Sequence, residues 1–499
     1  MSEAPSPSKR SPSTTEHTLS LPGDRQIPYT ATAAWQTLFE REKPVAEMFH
    51  VAYQVATDDR ASRPLTFVFN GGPGAASAYL HMGALGPKRV YFASDGSLPR
   101  PPVRVVDNLE SWLSFTDLVF IDPIGTGFSR SLPQDKKEAE AAEKAAPAEK
   151  DQPQETAFWE VERDLKSLGE FIQRFLSRQN RWLSPIFIAG ESYGGFRVAK
   201  LARKLQQEFG IGLSGAILIS PALEFSLLGG SDYNLTAWVT LLPSLAASAA
   251  HHKRVEWAGA AGDFTAHIAA AEEFARKTLL PLLAMGDGMP IEERQAAYHQ
   301  LASLIGLSPT LVERQAGRID LELFARELLR DRQRIVGLYD ASITAIDPFP
   351  DRPTYEGSDP TLDGLDRLFN GAINSHLRET LQVETDLTYH LLNEETFRAW
   401  KFDMKGELKQ GFIGAIDDLR VGMTLNPYMQ VYISHGWFDL VTPYFASNHL
   451  VDLMRLAPEI RANLTLKHFQ GGHMFYTWEA SRQSWLTEMQ TFYQRAITP

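Results

Sequence analysis

The sequence predicts an α/β fold, in which a mostly parallel central sheet is covered by helices on both faces and interrupted by a large helical insertion. Two observations support this prediction. Short, continuous apolar segments end at glycine-rich turns and alternate with helical stretches, a pattern typical of buried parallel strands joined by helices. Between residue 223 and about residue 428 the pattern becomes mainly helical, which indicates an insertion between two strands.

The individual elements follow from local patterns. Residues 1–16 are rich in serine and proline, and we expect them to form a disordered tail. Residues 235–250 are apolar but too few to span a membrane, and they contain Pro243, so we interpret them as a buried helix and predict no integral membrane segment. Strands are predicted where apolar residues alternate or run continuously, at residues 27–33, 45–55, 64–69, 117–122, 185–189, 215–220 and 430–434.

These elements divide the chain into a core and an insertion. Residues 17–222 are the first part of the core and residues 429–499 the second part. Within the first part, residues 132–157 are charged and of low complexity, and we expect a solvated excursion there. Residues 223–428 are interpreted as a cap, with helices predicted at residues 264–285, 291–305, 311–338, 363–390 and 394–400.

Composition excludes several kinds of chemistry. The chain has no cysteine, and 49 basic against 61 acidic residues give a formal net charge of −12. Without cysteine there is no disulfide, thiolate nucleophile, iron–sulfur cluster or cysteine-bound zinc. The acidic balance argues against nucleic-acid binding as the main activity. We expect no metal and no cofactor, because the sequence contains neither a phosphate-binding loop nor a His-Glu-x-x-His motif.

The compartment is predicted only by default. The residues after Met1 show no apolar segment of the length that a signal peptide requires. We therefore expect a cytoplasmic location, and export if the true start differs.

A candidate nucleophile follows the predicted strand at residues 185–189. The sequence Gly-Glu-Ser-Tyr-Gly from Gly190 to Gly194 fits the Gly-x-Ser-x-Gly nucleophile elbow, in which a sharp strand-to-helix turn exposes the serine hydroxyl. The flanking glycines are needed because the backbone passes too closely for larger side chains. The alternative is an ordinary strand-to-helix turn, but an apolar strand before the motif and an amphipathic segment after it favour Ser192 as a nucleophile.

Activation of a serine needs a base and a carboxylate that orients the base. On this type of scaffold the chain order is serine, acid, histidine. Asp439 follows the predicted strand 430–434, and His473 follows two glycines near the C-terminus. His435 is the nearest competitor, but it precedes Asp439 and breaks the expected order.

The glycine-rich segment that begins Asn70-Gly-Gly-Pro-Gly follows another predicted strand. Consecutive glycines there let backbone N–H groups approach a developing oxyanion, although a tight structural turn would use the same residues. Together with Asp-Pro-Ile-Gly-Thr-Gly-Phe-Ser at residues 122–129, these motifs resemble the serine carboxypeptidase family, peptidase family S10, whose members have the α/β-hydrolase fold. The resemblance spans roughly residues 51–498 and is weakest in the cap.

The resemblance implies a role for each site residue. Ser192 would be the nucleophile, His473 the general base and then the acid, and Asp439 the carboxylate that orients the histidine. The N–H groups of Gly72 and Tyr193 would form the oxyanion hole. The C-terminal carboxylate of the substrate would be bound by Asn70, Gly71 and Glu191. Glu191 would have to be protonated to donate to a carboxylate, since two negative charges repel.

The sequence departs from the family pattern at three positions. Ala84 stands where the family places a second glutamate, so Glu191 loses its usual partner. Val68 replaces a tryptophan and Ala75 a cysteine. The leading hypothesis is a serine-type carboxypeptidase acting on peptide or protein C-termini through an acyl-enzyme. The alternatives are an acyltransferase or esterase on the same scaffold and, from another class, an inactive hydrolase-fold binding protein. The preferred residues and the oligomeric state stay open.

Overall fold

The computed structural model describes residues 11–132, 157–255, 263–402 and 413–498. Its strands are β1 (Ser13–Leu21), β2 (Arg25–Glu40), β3 (Lys43–Val55), β4 (Leu65–Phe69), β5 (Lys88–Val90), β6 (Val105–Asp107), β7 (Asp117–Ile121), β8 (Arg130–Ser131), β9 (Ile186–Glu191), β10 (Gly215–Ile219), β11 (Arg334–Val336), β12 (Thr344–Ile346), β13 (Gln430–Gly436) and β14 (Leu464–Phe469).

Ten of these strands form one sheet in the order β1-β2-β3-β7-β4-β9-β10-β13-β14, with β8 paired to β3. Six neighbouring strands of this sheet run parallel to one another: β7, β4, β9, β10, β13 and β14. Strands β1, β2 and β3 add an antiparallel extension next to β7. The central strands β4, β7, β9, β10 and β13 are buried along their whole length, as expected for parallel strands covered on both faces. The predicted α/β-hydrolase fold, with a mostly parallel sheet, is therefore confirmed.

The α-helices are α1 (Ala78–Leu80), α2 (Val161–Arg178), α3 (Tyr193–Glu208), α4 (Thr236–His251), α5 (Phe264–Phe274), α6 (Leu280–Met285), α7 (Ile291–Ile305), α8 (Pro309–Arg314), α9 (Leu321–Glu327), α10 (Leu362–Ser375), α11 (Glu394–Ala399), α12 (Ile416–Leu425), α13 (Tyr444–Leu453), α14 (Pro458–Arg461) and α15 (Glu479–Ile497). Helix α4 covers all of the apolar segment 235–250 except its first residue and is largely buried, as predicted. Across the described ranges, every helix is too short or too polar to span a bilayer.

Strand β1 begins inside the segment 1–16, the predicted disordered tail. Residues 13–16 belong to β1, which pairs antiparallel with β2 so that Ser13 lies opposite Ala33. The serine and proline content suggested disorder, but alternate residues of β1 turn toward and away from the solvent, and threonine suits such a strand. Residues 1–10 and most of the predicted charged excursion, at residues 133–156, lie outside the described residues.

Two long helices predicted in the insertion are wrong. The segment 311–338 contains α8 and α9 and then β11, because Ala316 and Gly317 both have positive φ and end the helical path. Asp320 then begins α9 by accepting a hydrogen bond from the backbone N–H of Leu323. The segment 363–390 is helical only to Thr380, where a π-helical turn ends.

The insertion packs in two different ways. Helices α4 to α9 form a hydrophobic cluster of their own, which extends to Phe438, Leu440 and Phe445 from the end of the chain. Helix α10 instead packs into the cluster on one face of the sheet, and α12 packs on α3. The division into a core and a cap at residues 223 and 428 stays a prediction, and the packing attaches the later part of that insertion to the sheet.

Candidate active site

The parallel strands bring the predicted site residues to one edge of the sheet. Asn70 follows β4, Ser192 follows β9, Asp439 follows β13 and His473 follows β14. The pairing register is consistent with this, since Phe69 lies opposite Gly190 and Glu191 lies opposite Ile219. The carboxyl ends of parallel strands meet at one edge, which is where α/β sheets commonly bind ligands.

Ser192 forms the turn between β9 and α3. Its backbone has φ 60° and ψ −123°, a strained conformation for a residue with a side chain. Three hydrogen bonds hold the turn: the Ser192 N–H donates to the Ile219 carbonyl at 2.9 Å, and the Ser192 carbonyl accepts from the N–H groups of Gly195 at 2.9 Å and Ala222 at 3.1 Å. The surrounding structure therefore fixes the conformation that exposes a nucleophile in this class of turn.

The glycines of this turn are required by close packing. A Cβ atom added to Gly190 would collide with the carbonyl of Gly194, and one added to Gly194 would lie 2.6 Å from the Phe69 carbonyl oxygen. The neighbouring backbone cannot move away without displacing β4. The expectation that the motif needs small residues at positions 190 and 194 is therefore confirmed.

His473 and Asp439 form a buried pair. The Nδ1 atom of His473 lies 2.7 Å from Oδ2 of Asp439, and the two side chains are 3% and 0% exposed. Because a carboxylate oxygen is an acceptor, it fixes the proton on Nδ1 and leaves Nε2 free to accept one. Burial lowers the pKa of His473, but the charge and hydrogen bond of Asp439 and the charge of Glu191 outweigh this effect, so that the pKa is raised.

Backbone contacts attach this pair to the nucleophile turn. The Ser220 hydroxyl, one residue beyond β10, donates to the His473 carbonyl at 2.8 Å. The preceding residue, Ile219, accepts the N–H of Ser192. The end of β10 thus connects the serine and the histidine.

Two further residues beside the pair escaped the sequence analysis. The Thr442 hydroxyl is 2.7 Å from Asp439 Oδ2 and 3.0 Å from His473 Nδ1. Tyr339, from the insertion, accepts the His473 N–H through its carbonyl at 2.5 Å, and its ring meets the imidazole edge-on. The Asp-x-x-Thr spacing could have pointed to Thr442, but nothing in the sequence connects Tyr339 to His473 across more than 130 positions.

The glycine loop after β4 packs directly against the nucleophile turn. A Cβ on Gly71 would collide with the N–H of Tyr193, and Gly72 has φ +98°. Tyr193 is the first residue of α3, so its N–H belongs to the first helical turn, where N–H groups have no acceptor within the helix. The N–H groups of Gly72 and Tyr193 thus come from two segments in contact, although their role as an oxyanion hole stays a prediction.

A buried arginine that the sequence analysis also missed holds this loop. Arg197 on α3 donates from Nη1 to the Asn70 carbonyl at 2.6 Å and from Nε to Asp164 Oδ2 at 2.7 Å. The Arg197 and Asp164 side chains are 1% and 5% exposed. Since a buried charge must be paired, Asp164 on α2 holds the guanidinium, and the hydrogen bond from Arg197 to the Asn70 carbonyl attaches the loop to α3.

Glu191 and Asn70 are in direct contact. The Asn70 Nδ2 group donates to Glu191 Oε2 at 2.5 Å, and Asn70 Oδ1 accepts the N–H of Leu80 at 3.0 Å. Burial raises the pKa of Glu191 to about 7, against the lowering effects of His473, Tyr476 and Asn70, while Asp439 raises it further. Glu191 is therefore a carboxyl group that changes charge near neutral pH.

The competing histidine has different partners. His435 is fully buried, and its Nε2 atom lies 2.8 Å from the Ser447 hydroxyl. Burial, together with His468 and His473, lowers its pKa well below the usual value. His435 is therefore a neutral core residue. Within the described residues, no three histidine, aspartate or glutamate side chains are grouped as metal ligands.

A cleft of about 620 Å³ lies beside the glycine loop. Its wall includes Asn393, whose N–H donates to the Gly74 carbonyl at 2.8 Å, and Asp366, which accepts from the Tyr79 hydroxyl at 2.6 Å. Glu394 and Glu395 also line it. The cleft thus adjoins residues that pack on the loop, and its lining includes three carboxyl groups and Arg367.

Comparisons with known proteins match part of the chain. Residues 37–224 match the family model described as serine carboxypeptidase. Serine carboxypeptidase-like 13 of Arabidopsis thaliana is 26% identical over 41% of this chain and 42% of its own. The pheromone-processing carboxypeptidase KEX1 of Yarrowia lipolytica is 30% identical over 31% of this chain and 21% of its own.

These matches confirm the resemblance to the serine carboxypeptidase family. The matched residues 37–224 include the glycine loop and the nucleophile turn but neither Asp439 nor His473. The aligned segments span less than half the length of these relatives. Among solved structures, the proline iminopeptidase of Mycobacterium smegmatis aligns over 93% of this chain and 99% of its own, with 14% identity and a TM-score of 0.37.

Proposed function

We propose that this protein is a serine-type carboxypeptidase, which hydrolyses the C-terminal peptide bond of peptides or proteins through an acyl-enzyme. The observation that carries the proposal is the arrangement at the edge of the sheet. Ser192 occupies a strained turn with positive φ, and the buried His473–Asp439 pair is connected to that turn through the end of β10.

The proposed chemistry begins with the Ser192 hydroxyl. Its oxygen attacks the carbonyl carbon of the scissile bond while His473 Nε2 accepts the proton, and Asp439 stabilises the resulting imidazolium. The carbonyl oxygen becomes an oxyanion, which the N–H groups of Gly72 and Tyr193 would stabilise. His473 then returns the proton to the leaving amine, so that the C–N bond breaks and an ester to Ser192 remains. Water, activated by the same histidine, hydrolyses that ester.

Recognition of the chain end is assigned to Asn70, Gly71 and Glu191. Below a pH of about 7 the Glu191 carboxyl is protonated and can donate to the substrate carboxylate. Above that pH it becomes a second negative charge in a buried site, and like charges repel. Binding of the substrate's chain end is therefore expected to be strongest below a pH of about 7.

An esterase or acyltransferase on the same scaffold is the second candidate. Ala84, buried where the resemblance expects a second glutamate, favours it, because a weaker carboxylate site would leave acyl transfer intact while reducing the preference for chain ends. The acyl-enzyme could then pass to an alcohol as well as to water.

One experiment separates these functions. The protein is incubated between pH 4 and pH 8 with a mixture of synthetic peptides. Each peptide has either a free or an amidated C-terminus. Mass spectrometry follows the change in peptide mass. Serial loss of C-terminal residues from the free peptides alone supports the carboxypeptidase. In the opposite outcome the protein cleaves small esters, or transfers an acyl group to an added alcohol, and releases no residue from any peptide. That result would contradict the carboxypeptidase and support the second candidate.

A further inference from the structure

We infer that Tyr476 is a specificity residue of the proposed site, and that its hydroxyl donates a hydrogen bond to the terminal carboxylate of the substrate beside Glu191. The inference rests on the proposed function and deepens it. It assigns a partner for Glu191 at the point where Ala84 provides none.

The first observation is an unsatisfied pair of buried atoms. The Tyr476 side chain is fully buried, and its hydroxyl has no hydrogen-bond partner; Oε1 of Glu191 is also buried and without a partner. A buried polar atom without a partner costs free energy, and a substrate carboxylate bound between these two groups would give both of them a partner. A carboxylate with two acceptor oxygens satisfies a tyrosine hydroxyl and a protonated glutamate together.

The second observation is that the two groups are neighbours. The Tyr476 hydroxyl lowers the pKa of Glu191, and Glu191 in turn raises that of Tyr476, although burial is the larger cause for Tyr476. The distance and angles of a formed hydrogen bond between them are not met. The hydroxyl and the Glu191 carboxyl are therefore neighbours, and a substrate carboxylate would accept the hydrogen bond of the hydroxyl in competition with Glu191.

The third observation concerns the space beside Ala84. A Cβ atom added to Gly83 would lie 2.9 Å from Cε2 of the Tyr476 ring. The tyrosine ring thus packs against Gly83, the residue directly before Ala84.

The ring is held rigidly, as a recognition group must be. It stacks on Trp485 with ring centroids 6.2 Å apart and an interplanar angle of 18°, and it meets Phe475 edge-on. Arg482 donates to the Tyr476 carbonyl at 3.1 Å. Tyr476 is also only three residues beyond His473, so the hydroxyl and the imidazole belong to one short segment.

The experiment is calorimetric binding of two product analogues, N-benzyloxycarbonyl-phenylalanine and its C-terminal amide, to the full chain. The test variant is Tyr476→Phe. The matched control is Tyr432→Phe on β13, because Tyr432 is equally buried and its hydroxyl also lacks a partner. Thermal unfolding of both variants checks the fold.

We expect Tyr476→Phe to weaken binding of the free acid about 10- to 100-fold, as for loss of a hydrogen bond to a charged group, with binding of the amide unchanged. Tyr432→Phe should leave both affinities as in the wild type. Equal binding of the acid by Tyr476→Phe and wild type would overturn the inference, and so would an equal loss for acid and amide. Both binding measurements are made without turnover. A failure of this inference is therefore distinguishable from a failure of the proposed function, in which the protein releases no C-terminal residues.

Discussion

Glu191 and Asn70 join the two segments on which the proposed chemistry depends. The Asn70 side chain of the glycine loop donates to the carboxyl of Glu191 at 2.5 Å, and Glu191 directly precedes Ser192. The carboxyl that is assigned to substrate recognition is therefore one residue from the proposed nucleophile and electrostatically coupled to His473. Binding of the chain end and activation of the serine should consequently share a dependence on pH.

Replacing Ser192 with alanine should abolish hydrolysis and labelling by a fluorophosphonate probe, because the probe reacts with an activated serine hydroxyl. Intact-protein mass spectrometry measures the added mass. Ser244→Ala is the control, since Ser244 is a buried serine on α4. If the Ser192→Ala protein is labelled as completely as the wild type, Ser192 is not the nucleophile.

Replacing Asp439 with asparagine should reduce kcat by about 10⁴-fold, because the amide can donate to Nδ1 and hold the imidazole in the wrong tautomer. Steady-state kinetics on an activated ester measures this loss. Asp418→Asn is the control, since Asp418 on α12 is an acidic partner of Lys200 on α3. A reduction below tenfold in Asp439→Asn would contradict the proposed role.

The Thr442 hydroxyl contacts both members of the pair. Thr442→Val keeps the shape and removes the hydroxyl, and we expect kcat to fall about five- to tenfold, which corresponds to the roughly 1 kcal/mol of a net hydrogen bond. The same ester assay measures it. Wild-type kcat in this variant would mean that the hydroxyl does not orient Asp439 or His473.

The pH dependence of peptide hydrolysis should follow Glu191. The C-terminal carboxylate of a substrate is ionised above a pH of about 4, whereas Glu191 keeps its proton up to a pH of about 7. As the pH rises through 7, Glu191 ionises and repels the substrate, so KM for peptides should rise. Glu191→Gln cannot ionise, and this rise should disappear.

The groups that face Glu191 are His473, Asp439, Tyr476 and Asn70, and they are unchanged in that variant. A small ester without a carboxylate serves as the control substrate, because its KM should not respond to Glu191. If KM for peptides rises through the same pH range in wild type and variant, Glu191 does not bind the carboxylate.

The sequence predicted most of the sheet and the catalytic candidates because their signals are local. Strands β4, β7, β9, β10 and β13 are continuous apolar segments, and Ser192 lies in a short motif. Strand β14 was missed, since Leu464–Phe469 is only partly buried and its composition is mixed. Thr442, Tyr339, Arg197 and Tyr476 were missed because their roles arise from contacts between distant segments, which one sequence does not reveal.

The Arg197–Asp164 pair provides a test of how the glycine loop is held. Removing one partner of a buried ion pair leaves the other charge unpaired, so Arg197→Met should lower the free energy of unfolding by about 3–5 kcal/mol. Denaturant titration measures it. Replacing both partners, as Arg197→Met with Asp164→Leu, removes the unpaired charge and should restore most of that stability.

Activity should not return with stability in the double variant. Arg197 also donates to the Asn70 carbonyl at 2.6 Å, and neither replacement can make that contact. We therefore expect the double variant to have a lower kcat/KM on peptides than the wild type, because Asn70 and Gly72 of the glycine loop are less well positioned in that variant. A double variant with wild-type kcat/KM would show that the loop keeps its conformation without Arg197, and that the ion pair serves stability alone.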